Sequence, residues 1–270
     1  METKSGLIGF AQSIRRILTG RPQIPPSLED NPALAVVLNR RSVRSFAKKE
    51  IPGDVFAAIL EAGRLAPSTV NLQTWSFAVF TPVSWREAFG LRLPFDGDRA
   101  VMVMGDTHRV RLALDAFPHS PMVEYTIAVV NASLAAMNMN IAAEALGVSS
   151  VMLSETGRTG LLDVGYLRER LGLPDRVFPI LTIVFGYPRG FSPPMPPKLP
   201  LEQICFEGRY QEPSEGTMEA WLAQMKAGYR ASHPLSSLDA QLQLYISKLD
   251  QAEATLQAMV FPGRDQKSTR

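Results

Sequence analysis

Apolar residues recur along this chain with two periods, and the points where one gives way to the other mark its elements. Between Gly53 and Leu65 the apolar positions Val55, Phe56, Ile59, Leu60 and Ala62 fall on one side of a 3.6-residue turn, which predicts a half-buried helix stopping before Pro67. Ser76-Phe77-Ala78-Val79-Phe80 and Ala100-Val101-Met102-Val103-Met104 are short apolar runs bounded by turn residues, the second closed by Gly105-Asp106, and they read as strands. Val148 to Leu153 and Ile180 to Phe185 read as two more, the last closed by Gly186-Tyr187-Pro188. From about Glu124 to Leu146 the chain holds Ala128, Ala132, Ala135, Ala136, Ala142 and Ala143, small side chains that let a long helix approach other backbone closely. This run predicts the central buried helix. Strands alternating with helices give an α/β or α+β class, and no internal repeat is visible.

The two ends carry weaker patterns. Leu7, Ile8, Phe10, Ile14, Ile17 and Leu18 recur near helical spacing beside Arg15 and Arg16. The charges follow an interrupted apolar block rather than preceding a continuous one, so the segment does not read as an export signal. A basic amphipathic helix can dock on its own protein or lie on a membrane surface, and the first is the reading taken. Gly20, Pro22, Pro25, Pro26 and Pro32 make residues 19–32 an irregular linker, after which a helix through Ala33 to Asn39 opens the domain proper near Asn31. Proline is frequent from Phe191 to Pro200, which suits an extended arm. Beyond it Leu235, Leu238, Leu242, Tyr245, Leu249, Ala252, Leu256 and Met259 are spaced alternately three and four apart. That is a heptad seam about three heptads long, compatible with a coiled coil or with a helix in a groove of its own protein.

Composition narrows the classes. With 270 residues the chain can bury one sizeable core. The net charge of +2 and pI near 8.7 come from dispersed basic residues, which gives no case for a nucleic-acid surface. Cys205 is the single cysteine, excluding an internal disulfide and a cysteine-based metal cluster, and a reducing cytoplasm fits. It has no thiolate-lowering neighbour in sequence and reads as a small buried hydrophobe. His108, His119 and His233 lack metal-ligand spacing. No run reaches the ~18 to 20 uninterrupted apolar residues of a spanning helix, so membrane contact is not expected and the protein should be soluble.

Two segments carry the chemistry. Arg40-Arg41-Ser42-Val43-Arg44-Ser45-Phe46 packs three guanidinium groups and a hydroxyl into five positions. A doubly charged ligand with many acceptors, most simply a phosphate, offsets that self-repulsion. Ala66-Pro67-Ser68-Thr69-Val70-Asn71-Leu72-Gln73-Thr74-Trp75 is a polar turn between a helix-like and a strand-like run, able to present amides to a flat polar heterocycle. Together they resemble the flavin-dependent nitroreductase family, with its R-x-S-x-R-x-F segment and P-S-x-x-N-x-Q-x-W loop around FMN. The resemblance runs from about Ala33 to Tyr210 and takes in Ala142-Ala143-Glu144-Ala145-Leu146-Gly147, Gly186-Tyr187-Pro188 and Lys198-Leu199-Pro200-Leu201-Glu202.

The resemblance implies an α+β fold of three α-β-α layers around a central, mostly antiparallel sheet, working as a homodimer. It divides the chain into an N-terminal amphipathic extension and linker (1–30), an FMN-binding domain (31–210) and a C-terminal helical extension (211–270). Arg40 and Lys198 would hold the FMN phosphate, and Arg41 and Ser42 would contact phosphate or ribityl oxygens. Arg44 would stand at the N1/O2 edge of the ring, where reduction leaves negative charge that a fixed cation stabilises. The loop bearing Pro67, Ser68, Thr69, Asn71 and Gln73 would come from the partner subunit or lie at the interface. Amides of Leu153, Ser154 and Glu155 would face N5 and O4, with Ser154-Glu155 standing where relatives often carry Gly-Gly or Glu-Gly. No protein acid, base or nucleophile is required, because the flavin N5 carries the hydride. Phe206-Glu207-Gly208-Arg209-Tyr210-Gln211 and the helical run after it are similar to the extension of the larger NADPH-preferring nitroreductases and flavin reductases. By that likeness Arg230 would meet the nicotinamide nucleotide's extra phosphate.

The expected function is therefore a cytoplasmic NAD(P)H oxidoreductase with FMN as cofactor and NADPH or NADH as co-substrate. It would pass hydride by a ping-pong cycle to a nitroaromatic, quinone or flavin. The alternatives are a dehalogenase or flavin-fragmenting relative, and a flavin-binding sensor or assembly module whose heptad seam recruits a partner.

Overall fold

The computed structural model describes residues 15, 20, 22, 24–153, 163–190, 193–233 and 235–261, which fall into two compact units. The larger takes residues 27–192 and 248–270, the other 1–26 and 193–247.

The larger unit is built on four antiparallel strands in the order β1-β2-β4-β3: β1 (Trp75–Phe80), β2 (Arg99–Asp106), β3 (Ser149–Leu153) and β4 (Val177–Gly186). Strand alternation sends β2 residues Val101 and Val103 to one core and Ala100, Met102 and Met104 to another, so the sheet is covered on both faces. Helices α1 (Pro32–Asn39), α2 (Gly53–Arg64), α3 (Pro82–Phe89), α4 (His108–Ala113), α5 (Pro121–Ala145) and α6 (Val164–Leu171) follow in chain order. The first core sets α2 residues Phe56 and Ile59 against α5 residues Ala132, Ala135, Ala136 and Met139. On the second, Trp85 and Phe89 of α3 and Leu167 of α6 meet Val151 and Val184. The layers are therefore α, β and α. Small residues do what their pattern implies: a Cβ on Gly105 of β2 would come within 2.8 Å of the Ala128 Cβ on α5.

Helix α5 begins at Pro121, three residues before the expected start at Glu124, because proline serves at the first helical position, where its missing N–H leaves no bond unmade. It is long and apolar enough to cross a membrane, but buries Glu124, Asn131 and Asn140 along with its alanines inside the domain. β1, β2 and β4 match the expected runs with one to three residues added at their ends, while β3 begins at Ser149, one residue later than expected.

The heptad seam is not one helix. α8 (Leu238–Ile246) ends at Ser247, and α9 (Leu249–Val260) starts afresh in the other compact unit. Leu235 lies before both and is fully exposed. α9 buries Ala252, Met259 and Val260, the last two in a cluster with Val164, Phe178 and Ala128, so this half of the seam packs on its own chain. In the second unit α7 (Glu215–Ser232), capped by the Ser214 hydroxyl, pairs with α8 through an ion pair of 2.9 Å between Lys226 and Asp239. Cys205 is exposed there, against the expectation of burial.

Candidate functional site

The arginine segment is fixed by backbone rather than by its charged side chains. Asn31 starts α1 by accepting bonds from the N–H groups of Ala33 and Leu34 at 3.0 and 3.1 Å, and the helix stops at Arg40. The chain then runs extended along the edge of β3: Ser42 bridges Ser150 in parallel, and the Val43 N–H donates to the Ser150 carbonyl at 3.1 Å. Val43 and Phe46 are buried, while Arg44 and Ser45 face solvent. The far end is held by Phe46 bridging Pro188, by the Ala47 N–H donating to the Tyr187 carbonyl at 2.8 Å, and by the Arg189 N–H donating to Ser45 at 2.9 Å. Gly186 belongs to this contact: a Cβ there would stand 2.8 Å from the Phe46 ring.

Burying Val43 and Phe46 thus presents Arg44 between them to solvent. The Arg41 guanidinium turns back to donate to the carbonyls of Leu38 and Arg40 through Nη1, at 2.7 and 2.9 Å, which leaves donors on its other nitrogens for a ligand. Among the described residues no carboxylate lies within ion-pair distance of Arg40, Arg41 or Arg44. Three cations on one edge without a paired acid suit an anionic ligand.

The Pro67 loop is strained and clamped. Val70, Asn71 and Gln73 have φ of 46°, 58° and 50°. Asparagine tolerates the left-handed region, whereas a β-branched valine there is an outlier worth about 1 to 3 kcal/mol. The clamp is Asn131, 1% exposed on α5. Its Oδ1 accepts from the Thr69 N–H at 3.2 Å and the Thr69 hydroxyl at 3.3 Å, and its Nδ2 donates to the Thr74 hydroxyl at 2.8 Å. Within the loop the Ser68 hydroxyl accepts from the Gln73 N–H at 3.1 Å, and Gln73 Nε2 donates to the Asn71 carbonyl at 3.4 Å. Pro67, Thr69, Asn71 and Gln73 are exposed, and the Val70 side chain, 87% exposed, stands at the tip.

The loop is thus tied directly to α5, and the arginine segment is linked to it through Ser150 of β3, at a different height. Asn140 accepts the Ser150 hydroxyl at 2.6 Å beside the arginine segment, nine residues from Asn131, or about 14 Å at 1.5 Å per residue. Leu153 ends β3 half-buried, paired with Thr182. Ser154 and Glu155 lie outside the described residues. Lys198 and Arg230 belong to the other compact unit, each exposed, Arg230 in the last turn of α7. Among the described residues no group of three His, Cys, Asp or Glu could hold a metal ion.

Sequence reading missed Asn131 and Asn140, which look like polar interruptions of an alanine-rich helix. Their only signal is that asparagines in a buried helical stretch need partners from other elements.

Three-layer fold, arginine edge and clamped loop together define an α+β domain of the nitroreductase type. The chain belongs to the Nitroreductase family, whose model matches residues 37–92 and 88–187. It is 31% identical over 162 residues to a putative NADH dehydrogenase/NAD(P)H nitroreductase of Archaeoglobus fulgidus, covering 58% of this chain and 85% of that protein. To the FMN reductase (NADPH) of Bacillus subtilis it is 25% identical over 196 residues, covering 67% and 75%. In structure it is similar to the NADPH:FMN oxidoreductase of Vibrio harveyi complexed with NAD+, with a TM-score of 0.67 at 21% identity, over 83% of this chain and 98% of that one.

Proposed function

We propose that this protein is an FMN-dependent NAD(P)H oxidoreductase. The observation that carries the reading is the segment from Arg40 to Arg44, pinned by its backbone to the edge of β3, with no ion pair to its cations among the described residues. FMN bound there supplies a two-electron, hydride-accepting centre, reduced by NADPH or NADH and reoxidised by a nitroaromatic, quinone or flavin in alternating half-reactions.

The chain's own residues bind and polarise. Arg40 meets the cofactor's phosphate, with Lys198 as a second cation. Ser42 and the remaining N–H groups of Arg41 serve phosphate and ribityl oxygens, and Arg44 offers a fixed positive charge to the ring edge. Leu153, Ser154 and Glu155 lend backbone amides, and Arg230 meets the nucleotide's extra phosphate. In the proposed homodimer the loop from Pro67 to Gln73 closes the partner's site. The separation of the two motifs along α5 supports this, because it puts them at different heights of one subunit, and the exposed, strained Val70 is the kind of loop tip a second subunit would cover. A cytoplasmic setting fits the single cysteine, and the proposed layout is 1–30, 31–210 and 211–270.

Purification tests the reading directly. The protein should be yellow, release FMN rather than FAD on denaturation, and bleach when mixed with NADPH in a stopped-flow cell. Colourless protein that takes up no added FMN would refute it, and a flavin that never bleaches would favour the binding-module alternative.

A further inference from the structure

Helix α5 ends in an acid where helices favour bases. Its last turn carries Glu144 and no basic residue, although the carbonyl end of a helix repels negative charge. Glu144 sits four residues beyond Asn140, which places both side chains on one face of the helix. Asn140 on that face binds Ser150, the residue bridged to Ser42, and Glu144 follows on the same face one turn further along the helix. There it meets the field of Arg40 and Arg41. It forms no ion pair with either.

The other elements packed on this end of α5 contribute little charge. β3 and β4 have no charged side chain in their length. On α2, Glu61 and Arg64 pair with each other at 2.6 Å, and Asp54 is exposed. Among the described acids on these elements, Glu144 is thus the one placed to compete for the arginine cluster, at a position where its own helix opposes it.

We propose that Glu144 is a proton-linked competitor for the phosphate of the FMN site: ionised, it engages Arg40 and Arg41 electrostatically, and it takes up a proton as the phosphate arrives. The inference rests on the functional reading above. A flavin phosphate brings a charge of about −1.5 to −2 at pH 7, and a second anion in a half-buried site favours the neutral form of the first. Burial already pushes the Glu144 carboxyl above its ordinary value, with Arg40 and Arg41 pulling it back.

The sign follows from linkage. If phosphate raises the carboxyl's pKa further, the protonated protein binds FMN more tightly. The advantage is full below the free protein's pKa and is lost as pH rises through the bound protein's. The phosphate's own second ionisation near 6 weakens FMN binding in acid for any variant, so the effect is read as a difference between proteins.

The test titrates the full-length protein, stripped of flavin, with FMN and with riboflavin between pH 5.5 and 8.5, following quenching of flavin fluorescence. Glu144→Gln should bind FMN about tenfold tighter than the parent at pH 8, the equivalent of one pKa unit of interaction. The gap should close toward pH 5.5, and riboflavin, without a phosphate, should not distinguish the two. Glu144→Ala should behave like the glutamine variant and guards against a packing effect peculiar to it. Equal FMN affinity of parent and both variants at pH 8, or an equal gain for riboflavin, overturns the proposal while Arg40→Ala still weakens FMN. If Arg40→Ala binds FMN as the parent does, and FMN binds no tighter than riboflavin, the phosphate site itself falls.

Discussion

Glu124 offers the sharpest quantitative test of the packing described above. It is fully buried in the first turn of α5 and accepts four hydrogen bonds. Oε1 receives the Thr107 hydroxyl at 2.5 Å and Arg111 Nε at 2.9 Å, and Oε2 receives Arg111 Nη2 and Arg176 Nη1, each at 3.0 Å. The arginines reach onward, Arg111 to the Phe117 carbonyl at 2.6 Å and Arg176 to the Val260 carbonyl at 3.4 Å. One carboxylate therefore ties the segment after β2, the start of α5 and the end of α9. Replacing it by alanine leaves two guanidinium groups facing each other. Breaking a buried pair typically costs about 3 to 5 kcal/mol. The arginine side chains are 31% and 20% exposed, so they partly rehydrate and the lower end applies, near 3 kcal/mol. Loss of an acid at the positive end of a helix adds roughly 0.3 to 1 kcal/mol. At about 2 to 4 °C per kcal/mol for a domain of this size, Glu124→Ala should melt roughly 10 °C lower. Adding Arg176→Met should recover part of the loss by removing one uncompensated charge. A calorimetric Tm of the single variant within 2 °C of the parent would refute this reasoning. It would mean that the four bonds contribute no more than the desolvation of the carboxylate costs.

Two more expectations follow from the arginine edge and the loop. Arg44→Ala should slow reduction by NADPH by an amount equivalent to about 2.7 to 4 kcal/mol, the cost of losing a donor to developing charge, while Arg40→Ala should mainly raise the FMN dissociation constant; a reduction rate for Arg44→Ala within twofold of the parent sinks its assignment. Val70→Asn should relieve a left-handed valine and raise Tm by roughly 2 to 4 °C, taking about 1 kcal/mol for the strain, and a lower Tm would show that the valine side chain contributes more than its backbone costs.

What could be read from the sequence divides along the line between local and non-local causes. The strands and α2 were legible because a buried sheet and a one-sided helix impose their period on the residues themselves. The arginine segment and the Pro67 loop stood out as candidates because three guanidinium groups in five positions, and a polar turn between a helix-like and a strand-like run, are features local to the sequence. The seam from Leu235 to Met259 misled because spacing alone does not say whether a helix continues. Its break at Ser247 and Lys248 leaves the alternation of threes and fours intact, and the two halves fall in different compact units. Cys205 misled for a related reason, since the burial of a small thiol depends on which elements cover it.

The residues of α5 carry the argument furthest. Asn131, Asn140 and Glu144 stand in a helix whose composition predicts only close packing, and nothing in their own neighbourhood says what they do. Asn131 has meaning because the loop after α2 passes it, and Asn140 because β3 and the arginine edge meet there. Glu144 has meaning because α1 ends in two arginines whose field reaches it. Each is a polar residue set where its helix gains nothing from it, in the core or at the wrong end of the dipole, and such local conflicts gather at functional sites. Exchanging Asn131 or Asn140 for leucine would satisfy the helix and remove the bonds to Thr69 and Thr74 or to Ser150, so these asparagines act through what they hold rather than through the stability of α5.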